Sequence, residues 1–135
     1  MRTLQRFTLC VVAVTLLTSC APSGLNPTAK PVKITDTGKI LGSYSLKGTN
    51  PGHSAGYYVG TVTISDNGSG GVQVTQKIQG ETWVGQGNID PQGRLFVLFQ
   101  EMNVEGTWTL LEDGQFKGVW KHREQGDTGT EVWSP

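Results

Sequence analysis

The side chains that could bind a metal or another cofactor are few and widely separated. After residue 20 the chain has two histidines, His53 and His122, and no cysteine. A protein metal site needs several converging histidine, cysteine or carboxylate ligands. His122 also stands between Lys121 and Arg123, whose positive charges oppose a cation. We therefore expect no metal and no other cofactor.

The candidates for catalysis are equally scattered. His53 and Ser54 are neighbours, but adjacent residues of a strand point to opposite faces, and in a loop their meeting is accidental. The chain has no Gly-x-Ser-x-Gly nucleophile motif. Acid–base work by paired carboxylates would require burial to shift their pKa values, and the available pairs lie in loop-like sequence: Glu101 with Glu105, and Glu124 with Asp127. We assign no catalytic residue and expect that the protein is not an enzyme.

The first twenty residues have the composition of an export signal. Two arginines precede an apolar stretch at residues 7–17, which two small residues separate from Cys20. The apolar stretch is about half of the roughly 20 residues that a membrane-spanning helix requires. The pattern therefore predicts a cleaved signal peptide at residues 1–19 rather than a permanent membrane span.

The sequence Leu17-Thr18-Ser19-Cys20 resembles the lipobox of bacterial lipoproteins, in which an aliphatic residue and two small residues precede a cysteine. The resemblance implies cleavage between Ser19 and Cys20 and a diacylglyceryl thioether on Cys20, which becomes the acylated N-terminus. Two or more acyl chains anchor a protein stably, whereas one chain binds reversibly. Ala21 is not the aspartate that the family associates with inner-membrane retention, so the expected location is the periplasmic face of the outer membrane if the host has one.

Composition limits the partners of the mature chain. Cys10 lies in the removed segment and lipid occupies Cys20, so no disulfide remains. The formal net charge is zero and the charges are interspersed, which argues against nucleic acid and against electrostatic membrane binding. We expect contact with the membrane through the lipid on Cys20, and an envelope protein, a glycan or a small apolar ligand as the further partner.

The mature chain divides into a tether and one β domain. Residues 20–36 contain three prolines and little apolar periodicity, which is typical of an extended tether. Residues 37–135 show apolar–polar alternation with turn signals every eight to twelve residues or so. The alternation predicts eight strands, at 40–46, 56–64, 72–78, 82–89, 94–99, 105–111, 115–122 and 130–134.

A recurring spacing favours closure of these strands into a barrel. A glycine stands two residues before an aromatic residue in Gly42-Ser43-Tyr44, Gly106-Thr107-Trp108 and Gly118-Val119-Trp120. Such a glycine permits sharp strand curvature, and a nearby ring can cover it. The fold class is therefore predicted to be all-β, a small antiparallel up-and-down barrel of about eight strands, with a two-sheet β-sandwich as the alternative.

Two resemblances accompany this architecture. The predicted barrel is similar in outline to the calycin group, without a lipocalin signature or the biotin contacts of avidins. The tail, Gly118-Val119-Trp120 followed by Gly129-Thr130-Glu131, resembles short uncharacterised exported bacterial domains. Neither resemblance implies a particular ligand.

Aromatic residues are the remaining candidates for a site. Four tryptophans are many for a domain of this size, and such rings suit both cores and binding surfaces. The register places Trp108 and Trp120 in the core, and leaves Trp83, Tyr58 and Trp133 as possible contacts to a ligand or partner. We expect a membrane-anchored, non-catalytic interaction module that binds an envelope protein or glycan, or inhibits an enzyme that attacks the envelope. The alternatives are a small-ligand-binding barrel and, more remotely, a hydrolase.

Overall fold

The computed structural model describes residues 28–51 and 56–135, so the predicted signal peptide and Cys20 lie outside the described residues. The described part contains two short 3₁₀ helices, Thr37–Ile40 and Gln100–Met102, and nine strands. The strands are β1 (Pro31–Val32), β2 (Gly42–Thr49), β3 (Tyr57–Asp66), β4 (Val72–Ile78), β5 (Glu81–Ile89), β6 (Leu95–Phe99), β7 (Val104–Leu111), β8 (Phe116–His122) and β9 (Thr128–Ser134). Within these ranges no helix combines the length and the hydropathy needed to cross a bilayer.

Strands β2 to β9 form a closed antiparallel barrel. Each strand pairs with the next, and β9 returns to pair with β2, for example through Leu46 opposite Trp133. This closure confirms the predicted eight-stranded barrel and excludes the sandwich. The ninth strand, β1, pairs with β7 outside the ring of eight and is not foreseen by the sequence pattern.

The predicted turns follow from backbone conformations that the sequence permits. Gln79 and Gly80 both have positive φ, 52° and 82°, which suits a two-residue hairpin whose twist matches that of the flanking strands. Gly93 has a φ of 78° and its N–H donates to the Asp90 carbonyl at 2.9 Å. Both turns therefore lie where the predicted strands leave a gap, between 72–78 and 82–89 and between 82–89 and 94–99.

Large aromatic side chains fill the barrel. Trp108, Trp133, Phe99 and Phe116 are each at most 1% exposed. The Trp108 and Trp133 rings stack with centroids 4.7 Å apart, and Phe116 contacts Trp133 at 5.5 Å. Each such ring removes roughly 150–250 Å² from water, so a core without disulfides rests on this cluster. The prediction that Trp108 and Trp120 belong to the core is confirmed, since Trp120 is only 6% exposed.

Glycines make room for these rings on the neighbouring strand. Three aromatic residues each lie directly opposite a glycine, and a Cβ on that glycine would fall within 2.4 Å of the ring: Tyr58 opposite Gly48, Trp108 opposite Gly118, and Trp120 opposite Gly129. The predicted same-strand arrangement holds for Gly106, which also lies against Trp108, but not for Gly42, whose missing side chain faces open space. The glycines therefore make room mainly for aromatic rings on the neighbouring strand.

The two ends of the barrel differ. At one end, called the base here, the helix Thr37–Ile40 packs over the core with Ile40 only 1% exposed. The Tyr44 hydroxyl donates to the Ile40 carbonyl at 2.8 Å, and the Tyr44 ring meets Phe116 edge-on. The opposite end, called the mouth, carries the connections that follow β2, β4, β6 and β8. The base is therefore closed by an extra element.

The chain enters the barrel at the base. Pro31 pairs with Leu111, the Ile34 N–H donates to the Gly93 carbonyl at 2.9 Å, and Ile34 is only 5% exposed. The Lys30 carbonyl accepts from the Glu112 N–H at 2.9 Å in the hairpin between β7 and β8. Residues 30–34, which the sequence assigns to the tether, are therefore held against the domain.

The outer surface departs from two expectations. The run from Leu95 to Phe99 predicts a strand covered on both faces, but Phe96 is 36% exposed on the outside of β6. Leu98, Leu111 and Val119 do not form an exposed apolar patch either, because Leu111, which pairs with Pro31 of β1, is only 7% exposed. Apolar side chains in a strand do not reveal which face a second layer covers.

Candidate binding site at the barrel mouth

A cleft of about 150 Å³ opens at the mouth of the barrel. Four aromatic residues, two amides, one carboxylate and one aliphatic side chain line it: Tyr57, Tyr58, Trp83, Trp120, Asn50, Gln79, Glu81 and Ile78. A wider groove of about 460 Å³ lies at the base, beside Val32, Ile40 and Leu111. The base groove adjoins the point where the chain enters the barrel, whereas the mouth cleft lies at the far end.

Strand ends bring the lining residues together. Tyr58 at the start of β3, Ile78 at the end of β4 and Trp83 near the start of β5 share the inward register. Alternate residues of a strand share a face, so these side chains point into the barrel at its mouth. Tyr57 has the opposite register and is 87% exposed at the rim.

Trp83 is the partly exposed ring of the cleft. Its indole N–H donates to the Glu81 carboxylate at 3.3 Å, two residues earlier on the same face of β5. Its ring meets Phe99 of the core in an edge-on contact at 6.4 Å. Trp83 is therefore fixed at both its polar and its apolar side.

Tyr58 connects the cleft to the polar interior of the barrel. Its ring passes over Gly48 on β2, where an added Cβ would lie 2.1 Å from the ring, and its hydroxyl donates to Glu131 Oε1 on β9 at 2.7 Å. The Tyr58 pKa is raised well above its ordinary value, first by burial and then by the negative charge of Glu131. The phenol therefore stays protonated and acts as a donor.

Glu131 is a buried carboxylate inside the barrel, 4% exposed. Besides Tyr58, Gln76 Nε2 donates to its Oε2 at 2.9 Å and Trp133 Nε1 donates to the same oxygen at 2.8 Å. Burial raises the pKa of the carboxyl, and the hydrogen bonds from Tyr58, Trp133 and Gln76 oppose that shift. Both oxygens are thus occupied by protein donors.

Two indole N–H groups beside this network make no hydrogen bond of regular geometry among the described residues, although the first lies close enough to Glu131, and the second to Tyr58, to lower the pKa of that group. They belong to Trp108 and Trp120, and both nitrogens are shielded from solvent. Trp120 lines the cleft next to Tyr58, and its ring meets His122 edge-on at 5.7 Å. A buried donor without a well-formed hydrogen bond costs free energy, so the hydrogen bonding beside the cleft is incomplete.

The structure brings some of the predicted site residues together and separates others. Trp83 and Tyr58 meet in the cleft, whereas Trp133 is fully buried and stacked on Trp108 below it. The predicted lipidation and cleavage residues, Cys20 and Ser19, lie outside the described residues, as do His53 and Ser54.

The scattered acids do not assemble into a catalytic or metal-binding group. Glu105 lies between two cations, 3.8 Å from Lys121 Nζ and 3.7 Å from Arg123 Nε. Glu101, Glu124 and Asp127 are exposed. In the described ranges no three His, Cys, Asp or Glu side chains gather as metal ligands.

Sequence reasoning missed Glu131 and Gln76. The available signal was the register of β9, since Glu131 lies between Gly129 and Trp133 on one face of the strand. Polar residues at inward positions of a barrel strand are unusual and need partners. The sequence does not show that the Tyr58 hydroxyl is the partner of Glu131, because the Tyr58 side chain reaches Glu131 only by crossing the space left free by Gly48.

Two comparisons with known proteins found no match. No protein-family model matches the chain, and no curated protein matches it significantly. The site is therefore interpreted from its own geometry.

Proposed function

We propose that the protein is a lipoprotein of the bacterial cell envelope, anchored through Cys20, whose barrel is a non-catalytic binding module with its contact site at the mouth. The observation that carries the proposal is the cleft of four aromatic residues at the barrel end opposite the point where the tether joins. Aromatic side chains with a few polar groups are typical of ligand and partner sites. Anchored at its base, the domain would present the mouth away from the membrane.

The packing of the barrel interior favours a contact site at the mouth, rather than a ligand enclosed in the centre of the barrel. Trp108, Trp133, Phe99 and Phe116 fill the centre, and the cleft holds about 150 Å³. Typical small-molecule pockets hold about 300–1,000 Å³. The cleft therefore suits one chemical group of a larger partner, such as a protein or a glycan of the envelope.

The polar network supports a binding role rather than catalysis. Glu131 has both oxygens hydrogen-bonded to Tyr58, Gln76 and Trp133, and it is 4% exposed. A general acid or base must reach the proton that it transfers. Glu131 instead joins β9 to β3 and β4 beneath the cleft.

Site-specific photo-crosslinking in the native envelope tests the proposal. A benzophenone side chain at Gln79, on the mouth rim, should give an adduct that Trp83→Ala abolishes. The same group at Asp113, on the exposed base hairpin, should give no such adduct. Val84→Ala is the matched control, because Val84 is 46% exposed on the outer face of the same strand. Equal adducts from both ends, or an adduct that survives Trp83→Ala, would refute the assignment of the mouth.

A further inference from the structure

The charge of the mouth cleft is one-sided. Among the described residues, its lining contains the carboxylate of Glu81 and no lysine, arginine or histidine. The buried carboxyl of Glu131 lies directly beneath, joined to the cleft by the Tyr58 hydroxyl. Negative charge and ring faces attract a cation and repel an anion.

The Glu81 carboxylate is positioned to receive a ligand. Its Oε2 accepts from the Trp83 indole at 3.3 Å, and no described residue donates to its Oε1. The side chain is exposed at the rim, so an incoming group reaches it without prior unfolding of the cleft. A cation held there would lie beside the Trp83 ring.

Two aromatic residues of the cleft donate hydrogen bonds to carboxyl groups. Trp83 donates to the Glu81 carboxylate, and Tyr58 donates to Glu131 Oε1 at 2.7 Å. Donation to the Glu81 carboxylate polarises the Trp83 N–H group. This arrangement strengthens attraction between a ring and a cation.

Size restricts the cation. A cleft of about 150 Å³ is about half the lower limit for drug-sized ligands, so it holds a short chain with one charged end. Ile78 adds an aliphatic surface, and the amides of Asn50 and Gln79 add hydrogen-bond acceptors at the rim. These groups match an alkyl chain that ends in an ammonium group.

We propose that the mouth cleft binds an alkylammonium group, of the kind that a lysine side chain of a partner protein carries, between Glu81 and the rings of Trp83 and Tyr58. The proposal rests on the proposed function, since it names the chemistry of the group that the same cleft receives. An anionic or uncharged group would leave the negative charge of Glu81 without a counter-charge in the cleft.

Fluorine NMR on the lipidated mature chain in detergent micelles tests this proposal. The protein carries 5-fluorotryptophan, and single Trp→Phe variants assign the four resonances. The probes are n-butylammonium chloride and n-butanol, which differ in charge but share an alkyl chain. We expect saturable shifts of the Trp83 and Trp120 resonances with butylammonium and affinity weaker by about tenfold or more with butanol. The buried Trp108 and Trp133 report on general effects of the probes.

Variants separate the site from nonspecific charge. Glu81→Gln should weaken butylammonium binding by about tenfold, whereas Glu112→Gln, an exposed carboxylate at the base, should leave it unchanged. Equal affinity for butanol, equal loss with both variants, or no saturable shift would overturn the proposal. None of these results bears on crosslinking from Gln79, which tests whether the mouth contacts a partner. The alkylammonium proposal can therefore fail while the proposed function stands.

Discussion

Trp108 on β7 lies directly opposite Gly118 on β8, and its indole occupies the space that a side chain at position 118 would need. A Cβ there would lie 2.2 Å from the indole ring. The same ring stacks on Trp133, so the absence of one methyl group determines where two buried tryptophans lie.

Gly118→Ala should lower the free energy of unfolding by about 1–3 kcal/mol, because the Trp108 ring and the core around it must shift. Gly126→Ala is the matched control, since an added Cβ at that exposed position meets nothing within 4 Å. Urea denaturation of both variants measures the difference. Equal stability of the two variants would show that the barrel accommodates the methyl group without strain.

Tyr58→Phe should be destabilising by about 1–3 kcal/mol near neutral pH, because Glu131 Oε1 loses its donor inside the barrel. Tyr57→Phe is the control. Tyr57 is 87% exposed, so its hydroxyl contributes little to the folded state. Thermal unfolding followed by circular dichroism compares them, and similar losses in both variants would contradict the proposed importance of the buried hydrogen bond.

The strands and hairpins were predictable because their causes are local. Alternation of apolar and polar residues identifies the inward face, and Gly80 and Gly93 permit the positive φ that the turns require. Strand β1 was missed because two residues, Pro31 and Val32, are too short a segment to show alternation. Its place is determined by pairing with β7, about eighty residues later.

The candidate site was predictable only in part. The sequence singled out Tyr58 and Trp83, which are aromatic residues at the starts of strands. It did not reveal Glu131, because inward carboxylates run against the usual pattern and become acceptable only when donors converge. Those donors come from β3, β4 and β9, and the register among these strands follows from barrel closure.

Cys20→Ser should abolish incorporation of a labelled fatty acid and release or mislocalise the protein, because the lipid supplies the membrane affinity. Cys10→Ser is the control, since Cys10 lies in the apolar part of the predicted signal peptide and its substitution leaves the sequence Leu17-Thr18-Ser19-Cys20 intact. Acyl labelling with fractionation of the host envelope measures both effects. Membrane attachment that persists in Cys20→Ser would refute the lipid anchor.

Glu131→Gln should change how stability depends on pH. Burial raises the pKa of Glu131 in the folded state above its ordinary value of 4.5, so the folded protein holds this proton more tightly than the unfolded chain. The stabilisation from that proton is complete below pH 4.5 and is lost as the pH rises through the folded-state pKa. Glutamine keeps the shape, and its amide can accept from Gln76 and Trp133 and donate to the Tyr58 oxygen.

Urea denaturation of the two proteins between pH 4 and pH 8 therefore tests the buried carboxyl. The free energy of unfolding of the natural protein should fall relative to that of Glu131→Gln as the pH rises, with a slope of at most about 1.4 kcal/mol per pH unit. The difference between the two proteins removes the contribution of other groups, such as Asp90, whose pKa is lowered by hydrogen bonds from Arg94. A constant difference would mean that the hydrogen bonds from Tyr58, Trp133 and Gln76 cancel the effect of burial on the pKa of Glu131. A difference that changes in the opposite direction would mean that these hydrogen bonds outweigh burial.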